Sequence, residues 1–158
     1  MLNNLIEIQE LLEIIARNLK EFREDNDYKQ HEVAKYLNIS RSTYANWEKA
    51  DCFPSLSSLD KITLFYNISL DCLLRKKRIK SYKEKLKPMN YNILLNNLKE
   101  LRNKNKYPLR FVARYCHTSL TNYNKIEHGK YEIKIYYLVK IMKLYNISAD
   151  EITGKIKS

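Results

Sequence analysis

Leu12, Ile15, Leu19 and Phe22 recur three and four positions apart, the spacing that gathers apolar side chains on one face of a helix. The pattern stops at Asp25-Asn26-Asp27, a cluster typical of turns. Gln30 to Leu37 predicts a second helix with Val33, Ala34 and Leu37 turned inward. Asn38 stands where the chain must then turn, and asparagine tolerates positive φ better than most residues. Ser40 is a good N-cap for a third helix at about 41–49. Pro54-Ser55 opens a fourth, with Leu56, Leu59, Ile62 and Phe65 at helical spacing, and Ser69 caps a fifth. The third of these helices is unusual in its polarity. Tyr44 and Trp47 share one face, while Arg41, Ser42, Ala45 and Asn46 spread over the rest.

The same pattern occurs twice. Sliding residues 18–74 along by 79 positions lays NLKEFREDNDYKQHEVAKYLNIS over NLKELRNKNKYPLRFVARYCHTS without a gap, with 21 identities in 57 positions. In the second copy Ser119 matches the N-cap Ser40, Gly129 follows the third helix, and Ser148 with Glu151 forms a capping box. His117 occupies the turn position of Asn38. A zinc role for Cys116-His117 lacks further ligands at suitable spacing, so the turn accounts for it. Two copies mean two small domains rather than a solenoid.

Composition narrows the class. A chain of 158 residues suits one domain or two small ones. Only 2 Gly and 3 Pro are present, too few for a turn-rich β architecture. The formal net charge of +11 and pI of about 9.5 suit an anionic partner, although a basic surface also keeps a small protein soluble. Cys52, Cys72 and Cys116 are odd in number and far apart, which argues for reduced thiols and a cytoplasmic protein. The apolar start of the chain carries Glu7, Glu10 and Glu13, unlike a signal peptide, and no apolar run approaches membrane-spanning length. Leu5, Ile8, Leu12, Ile15, Leu19 and Phe22 read as a heptad seam. Its first part, Met1 to Leu11, is short for an independent coiled coil and is expected to pack on its own chain or to supplement a dimer contact.

Residues 30–49, with the flanking LKEFRED and PSLSSLDKITLFYNISLDCLL, resemble the phage-repressor-like (XRE-type) helix-turn-helix family. The matching elements are Gln30, Val33-Ala34, Ile39-Ser40-Arg41-Ser42-Thr43, Trp47-Glu48, Pro54-Ser55-Leu56 and Ser69-Leu70-Asp71. Two positions depart from the family pattern. Asn38 stands for the usual turn glycine, and Ala50 for the glycine common two places after the Trp-Glu pair, which puts the end of the third helix in question. The resemblance implies an all-α fold of two tandem lambda-repressor-like helix-turn-helix domains, each of about five short helices. The first would span 1–74 with a helical N-terminal extension, followed by a basic linker at 75–89 and a degenerate second domain at 90–158.

It also implies a duplex-DNA partner. Arg41, Ser42 and Asn46 match base-facing positions, and Gln30 matches a backbone-facing one; Lys29 and Thr43 are added as backbone contacts. Arginine can donate two hydrogen bonds to guanine and asparagine can pair with adenine. Charge lies elsewhere. Residues 18–74 carry a net −2, residues 75–96 a net +7 and residues 97–154 a net +6. Arg75, Lys76, Lys77 and Arg78 are therefore candidate phosphate contacts, or simply a solvated surface. In the second copy Leu109 replaces Gln30, Leu120 replaces Arg41, Thr121 replaces Ser42 and Lys125 replaces Asn46. Leu120 suits a thymine methyl and Lys125 a phosphate. The same changes equally suit a helix-turn-helix retired from base reading and used to pair chains.

The function expected is a transcriptional regulator that represses by occupying an operator, as a homodimer. Two alternatives remain open: an antitoxin-type regulator that also binds a protein, and an interaction module that no longer binds DNA. The sequence offers no nucleophile–base pair, metal spacing or phosphate loop, so no catalysis, cofactor or small-molecule ligand is expected.

Overall fold

Serine hydroxyls start five of the ten helices found among the described residues of the computed structural model, which are 2–76 and 86–156. The chain divides into two compact units, residues 1–86 and 87–158. The first contains α1 (Leu2–Asp25), α2 (Gln30–Leu37), α3 (Arg41–Glu48), α4 (Leu56–Tyr66) and α5 (Leu70–Leu74). The second contains α6 (Tyr91–Lys104), α7 (Leu109–Tyr115), α8 (Leu120–Glu127), α9 (Ile135–Tyr145) and α10 (Ala149–Ile152). Ser40 Oγ accepts the Thr43 N–H at 3.0 Å to begin α3, and Ser119 Oγ accepts the Asn122 N–H at 3.1 Å to begin α8. Ser55, Ser69 and Ser148 cap α4, α5 and α10 in the same way. Glu151 returns a bond to the Ser148 N–H at 3.1 Å, completing the capping box.

The turn between the second and third helix of each unit is tight because one residue takes the left-handed conformation. That residue is Asn38 at φ +57° in the first unit and His117 at φ +55° in the second. After each turn residue, the N–H of Ile39 reaches the Ala34 carbonyl at 3.0 Å and that of Thr118 reaches the Ala113 carbonyl at 3.0 Å. Ala50 ends α3 at φ +61°, the conformation that Gly129 adopts at φ +68° after α8. The glycine-to-alanine exchange thus leaves the helix ending unchanged, at a cost of roughly 1 kcal/mol for the left-handed alanine.

Tyr44 and Trp47 are both buried, their rings 5.9 Å apart and edge to face, so α3 is anchored through them to the core of its unit. Tyr123 and Ile126 take the same places in α8. The buried stripe of α1 is Leu11, Ile15, Asn18, Leu19 and Phe22. Leu12 is only half-buried, which corrects its expected place in the core. A straight helix turns once in 3.6 residues, and stepping back from Ile15 by four brings Leu11, not the heptad position Leu12, onto the inner face. Leu5 is 60% exposed, so the heptad seam does not continue as a buried stripe to the start of α1. Asn18 is buried because its side-chain amide lies 3.0–3.1 Å from the carbonyl oxygens of Cys72, Leu73 and Arg75, tying α1 to the end of α5. Asn97 repeats this in the second unit, donating to the Ile152 carbonyl at 2.9 Å. Among the described residues no helix is long and apolar enough to cross a membrane.

The hydroxyls of Tyr44, Tyr66, Tyr123 and Tyr145 are buried without a hydrogen bond of good geometry. Burial pushes the Tyr66 phenol up to about 12, and those of Tyr44, Tyr123 and Tyr145 further still. An unfolded tyrosine ionises near 10.0, so above that pH the unfolded chain binds fewer protons than the folded one. The tyrosines' contribution to stability is therefore complete below pH 10 and lost as pH rises beyond it. Each such tyrosine steepens the loss by up to about 1.4 kcal/mol per pH unit. Denaturant unfolding at stepped pH between 8 and 11.5 should show a flat stability followed by this decline. A constant midpoint across that range would show that the phenols ionise freely in the folded state.

Candidate nucleic-acid interface

With Tyr44 and Trp47 facing inward, α3 turns Arg41, Ser42 and Asn46 outward, and all three are exposed. Among the described residues neither Arg41 nor Asn46 makes a side-chain hydrogen bond or ion pair. Their donors and acceptors remain available on a rigid helix, as reading base edges requires. The Ser42 and Thr43 hydroxyls converge on the cap instead, lying 2.9 and 2.8 Å from Ser40 Oγ. Thr43 is half-buried and Ser42 exposed.

Gln30 opens α2 beside this surface, with its amide donating to Glu48 Oε2 at 2.9 Å. Glu48 in turn accepts two bonds from Arg23, at 2.6 Å from Nε and 2.9 Å from Nη2. The fork-to-fork pair joins α1 to the end of α3, and the bond to Glu48 holds the Arg23 guanidinium pKa above its ordinary value. Arg23 also donates to the Tyr28 carbonyl at 3.0 Å. One buried carboxylate thus fixes three elements: α1, the start of α2 and the base of α3. Lys29 is exposed, and its backbone N–H donates to Glu32 at 2.7 Å as α2 begins.

The linker cations are differently placed from those of α3. Arg75 Nε lies 3.1 Å from Asp71 Oδ1, and Lys76 pairs with Glu10. Arg17 donates to the Lys76 carbonyl at 2.9 Å. Both Arg75 and Lys76 therefore have intramolecular counter-charges on the α1–α5 side of the unit, while Lys77 and Arg78 lie outside the described residues.

In the second unit Leu120 is 47% exposed at the place of Arg41, and Thr121 is exposed beside it. Leu109 is half-buried and makes no bond like that of Gln30. Lys125 packs its ammonium 5.1 Å from the centre of the Tyr131 ring and 3.4 Å from its hydroxyl. Arg102 and Glu127 reproduce the Arg23–Glu48 fork at 2.9 and 3.1 Å.

Spacing rules did not single out Arg23, Glu48 and their counterparts as a structural pair, nor Tyr131. The first two had a signal in the repeat itself, since Arg and Glu are kept at both positions in both copies.

The helix-turn-helix family matches this chain twice, at residues 19–71 and 98–152. The HTH-type transcriptional regulator ImmR of Bacillus subtilis (strain 168) is 34% identical over 70 residues, which cover 44% of this chain and 55% of that protein. The chain thus spans about half the length of this curated relative. No solved structure matches.

Proposed function

The chain belongs to the helix-turn-helix family of DNA-binding transcriptional regulators, with the domain present twice, and from this we propose that it is a sequence-specific repressor that acts by occupying an operator. The observation that carries the reading is the division of α3 into two faces. Tyr44 and Trp47 lock one face to the core, and the other offers Arg41, Ser42 and Asn46 on a short exposed helix. In the major groove Arg41 addresses guanine O6 and N7, and Asn46 addresses the N6 and N7 of adenine. Gln30, Lys29 and Thr43 lie along the phosphates and set the register of α3. Gln30 is suited to this because Glu48 holds it at the N-terminus of α2. Arg75, Lys76, Lys77 and Arg78 add phosphate attraction, with Arg75 and Lys76 exchanging their present partners for DNA. The protein is cytoplasmic, where its operator is.

A homodimer is part of the proposal. One recognition helix covers only a few base pairs, and two half-sites a helical turn apart supply the rest. The exposed Leu5 and Ile6 near the start of α1 are available to a pairing contact.

Arg41→Ala should weaken binding to the preferred duplex by roughly 1–3 kcal/mol and relax the preference at one base position, leaving scrambled duplex nearly unaffected. Footprinting and titration of both duplexes, with light scattering on the complex, make the comparison. Equal base preference in wild type and variant would refute base reading by α3, and a complex of one chain per operator would refute the dimer.

A further inference from the structure

The repeat keeps the helices of the two units alike but reverses the charge of one flank. Residues 24–36, from the end of α1 through α2, carry four acidic and two basic side chains, whereas the matching residues 103–115 carry four basic and none acidic. All four acids and all four matching-window cations are exposed. Lys104, Lys106, Arg110 and Arg114 make no ion pair among the described residues. Aromatic rings accompany the charges in both units. In the first, Phe65 of α4 stands 4.9 Å from the Tyr28 ring and 4.4 Å from the Tyr36 ring, and these tyrosines are 38% and 52% exposed. In the second, Phe111 takes the place of Glu32, 41% exposed and 4.5 Å from the Tyr107 ring.

Two positions along a helix turn it a little over half-way round, so Glu32 lies on the far side of α2 from Gln30, whose amide is bound to Glu48 of α3. A partner on the Tyr28–Tyr36 flank therefore leaves Arg41, Ser42 and Asn46 uncovered. Exposed rings bordered by charge match the make-up of a protein–protein interface, an aromatic centre with a polar rim. Charge then decides which flank meets which. Two acidic flanks repel one another and so do two basic ones, whereas an acidic flank attracts a basic one.

We infer that the acidic, tyrosine-bearing flank of the first unit docks on the basic, Phe111-bearing flank of the second unit in another copy of the chain. A two-fold axis makes this contact twice, because each residue of one copy meets what its counterpart meets in the partner. The exposed rings form the centre of each contact, and the opposed charges form its rim. The inference deepens the homodimer of the proposed function and rests on it, while base reading by α3 is independent of it.

The test exchanges charges between matching positions of the full chain. Asp25→Lys/Asp27→Lys makes the acidic flank basic, and Lys104→Asp/Lys106→Asp makes the basic flank acidic. Each new residue is the one that the other unit carries at that position. Asp27 and Lys106 even share a left-handed backbone, at φ +57° and +54°, so the exchanges are compatible with folding. Sedimentation equilibrium at low salt should show a wild-type dimer, with the dissociation constant raised about 10-fold in each variant alone as two ion pairs become repulsions. An equimolar mixture of the two variants should return to within about 3-fold of wild type, since both contacts of the mixed dimer again set acid against base. Restoration by mixing requires that the two flanks belong to different copies. Phe111→Glu, which installs the residue of the first unit, should weaken the dimer about 10-fold at high salt as well, where screening brings the charge variants back towards wild type. A dimer whose affinity neither charge variant changes, or a mixture no tighter than the variants alone, would overturn the contact and leave the homodimer standing. A wild type that stays monomeric both free and on its operator would overturn contact and homodimer together, with base reading by α3 unaffected.

Discussion

Trp47→Ala should destabilise the first unit by about 3–5 kcal/mol, a large part of what a domain of this size possesses. Trp47 is 6% exposed and packs edge to face on Tyr44, so removing the indole leaves a cavity under the helix that carries Arg41. A helix of eight residues has no stability of its own in water. Without its anchor α3 should fray, and operator binding should fall with folding rather than through any lost contact. The second unit uses Ile126 at this position and is untouched by the change. Urea unfolding followed by circular dichroism should therefore show one phase displaced and one preserved. Because this is the only tryptophan, indole fluorescence cannot follow the variant. Two phases at their wild-type midpoints would show that α3 is not held through this ring.

Glu48→Ala should cost a similar amount, about 3–5 kcal/mol, by a different route. The Arg23 side chain is 12% exposed and the Glu48 side chain 4%, so little water can replace the lost carboxylate. The guanidinium would lose its buried counter-charge and keep only the exposed Glu24, 3.3 Å from Nη2, and Gln30 would lose its acceptor at the start of α2. An intact pair adds less to net stability than this, since both charges were desolvated to form it. The signature is accordingly non-additivity. The double variant Arg23→Ala/Glu48→Ala should cost less than the sum of the two single losses, giving a coupling of about 0.5–3 kcal/mol, on the order found for contacting pairs. Additive losses would show that the two groups act independently. The same cycle at Arg102 and Glu127 should give the same pattern in the second unit.

Local chemistry in the sequence determined much of this protein. Helix starts follow from serine hydroxyls that bond an N–H three residues on, so Ser40, Ser55, Ser69, Ser119 and Ser148 are legible one by one. The inward turn of Tyr44 and Trp47 follows from their spacing of three, and the outward turn of Arg41 and Asn46 follows with it. The gapless repeat announces two helical units before any packing is considered, because identities at matched core positions require matched cores.

Other features depend on residues brought together from afar. Arg23 and Glu48 are 25 positions apart, and Gln30 and Glu48 are 18 apart, beyond any rule of helix spacing. Only the packing of α1 against α3 makes them one network. Arg75 and Lys76 look in the sequence like free charge next to a binding motif, and the fold instead sets Asp71 and Glu10 against them. The pairing with Leu11 rather than Leu12 likewise depends on the true pitch of α1 against its neighbours. Ala50 is the plainest case. Alanine's own preference opposes a positive φ, and it adopts one because the anchored α3 and the bond from the Asp51 N–H to the Asn46 carbonyl leave the chain no other exit. Short-range preferences decide where helices begin and which way they face, whereas contacts between distant segments decide which charges are spent and which remain to meet a partner.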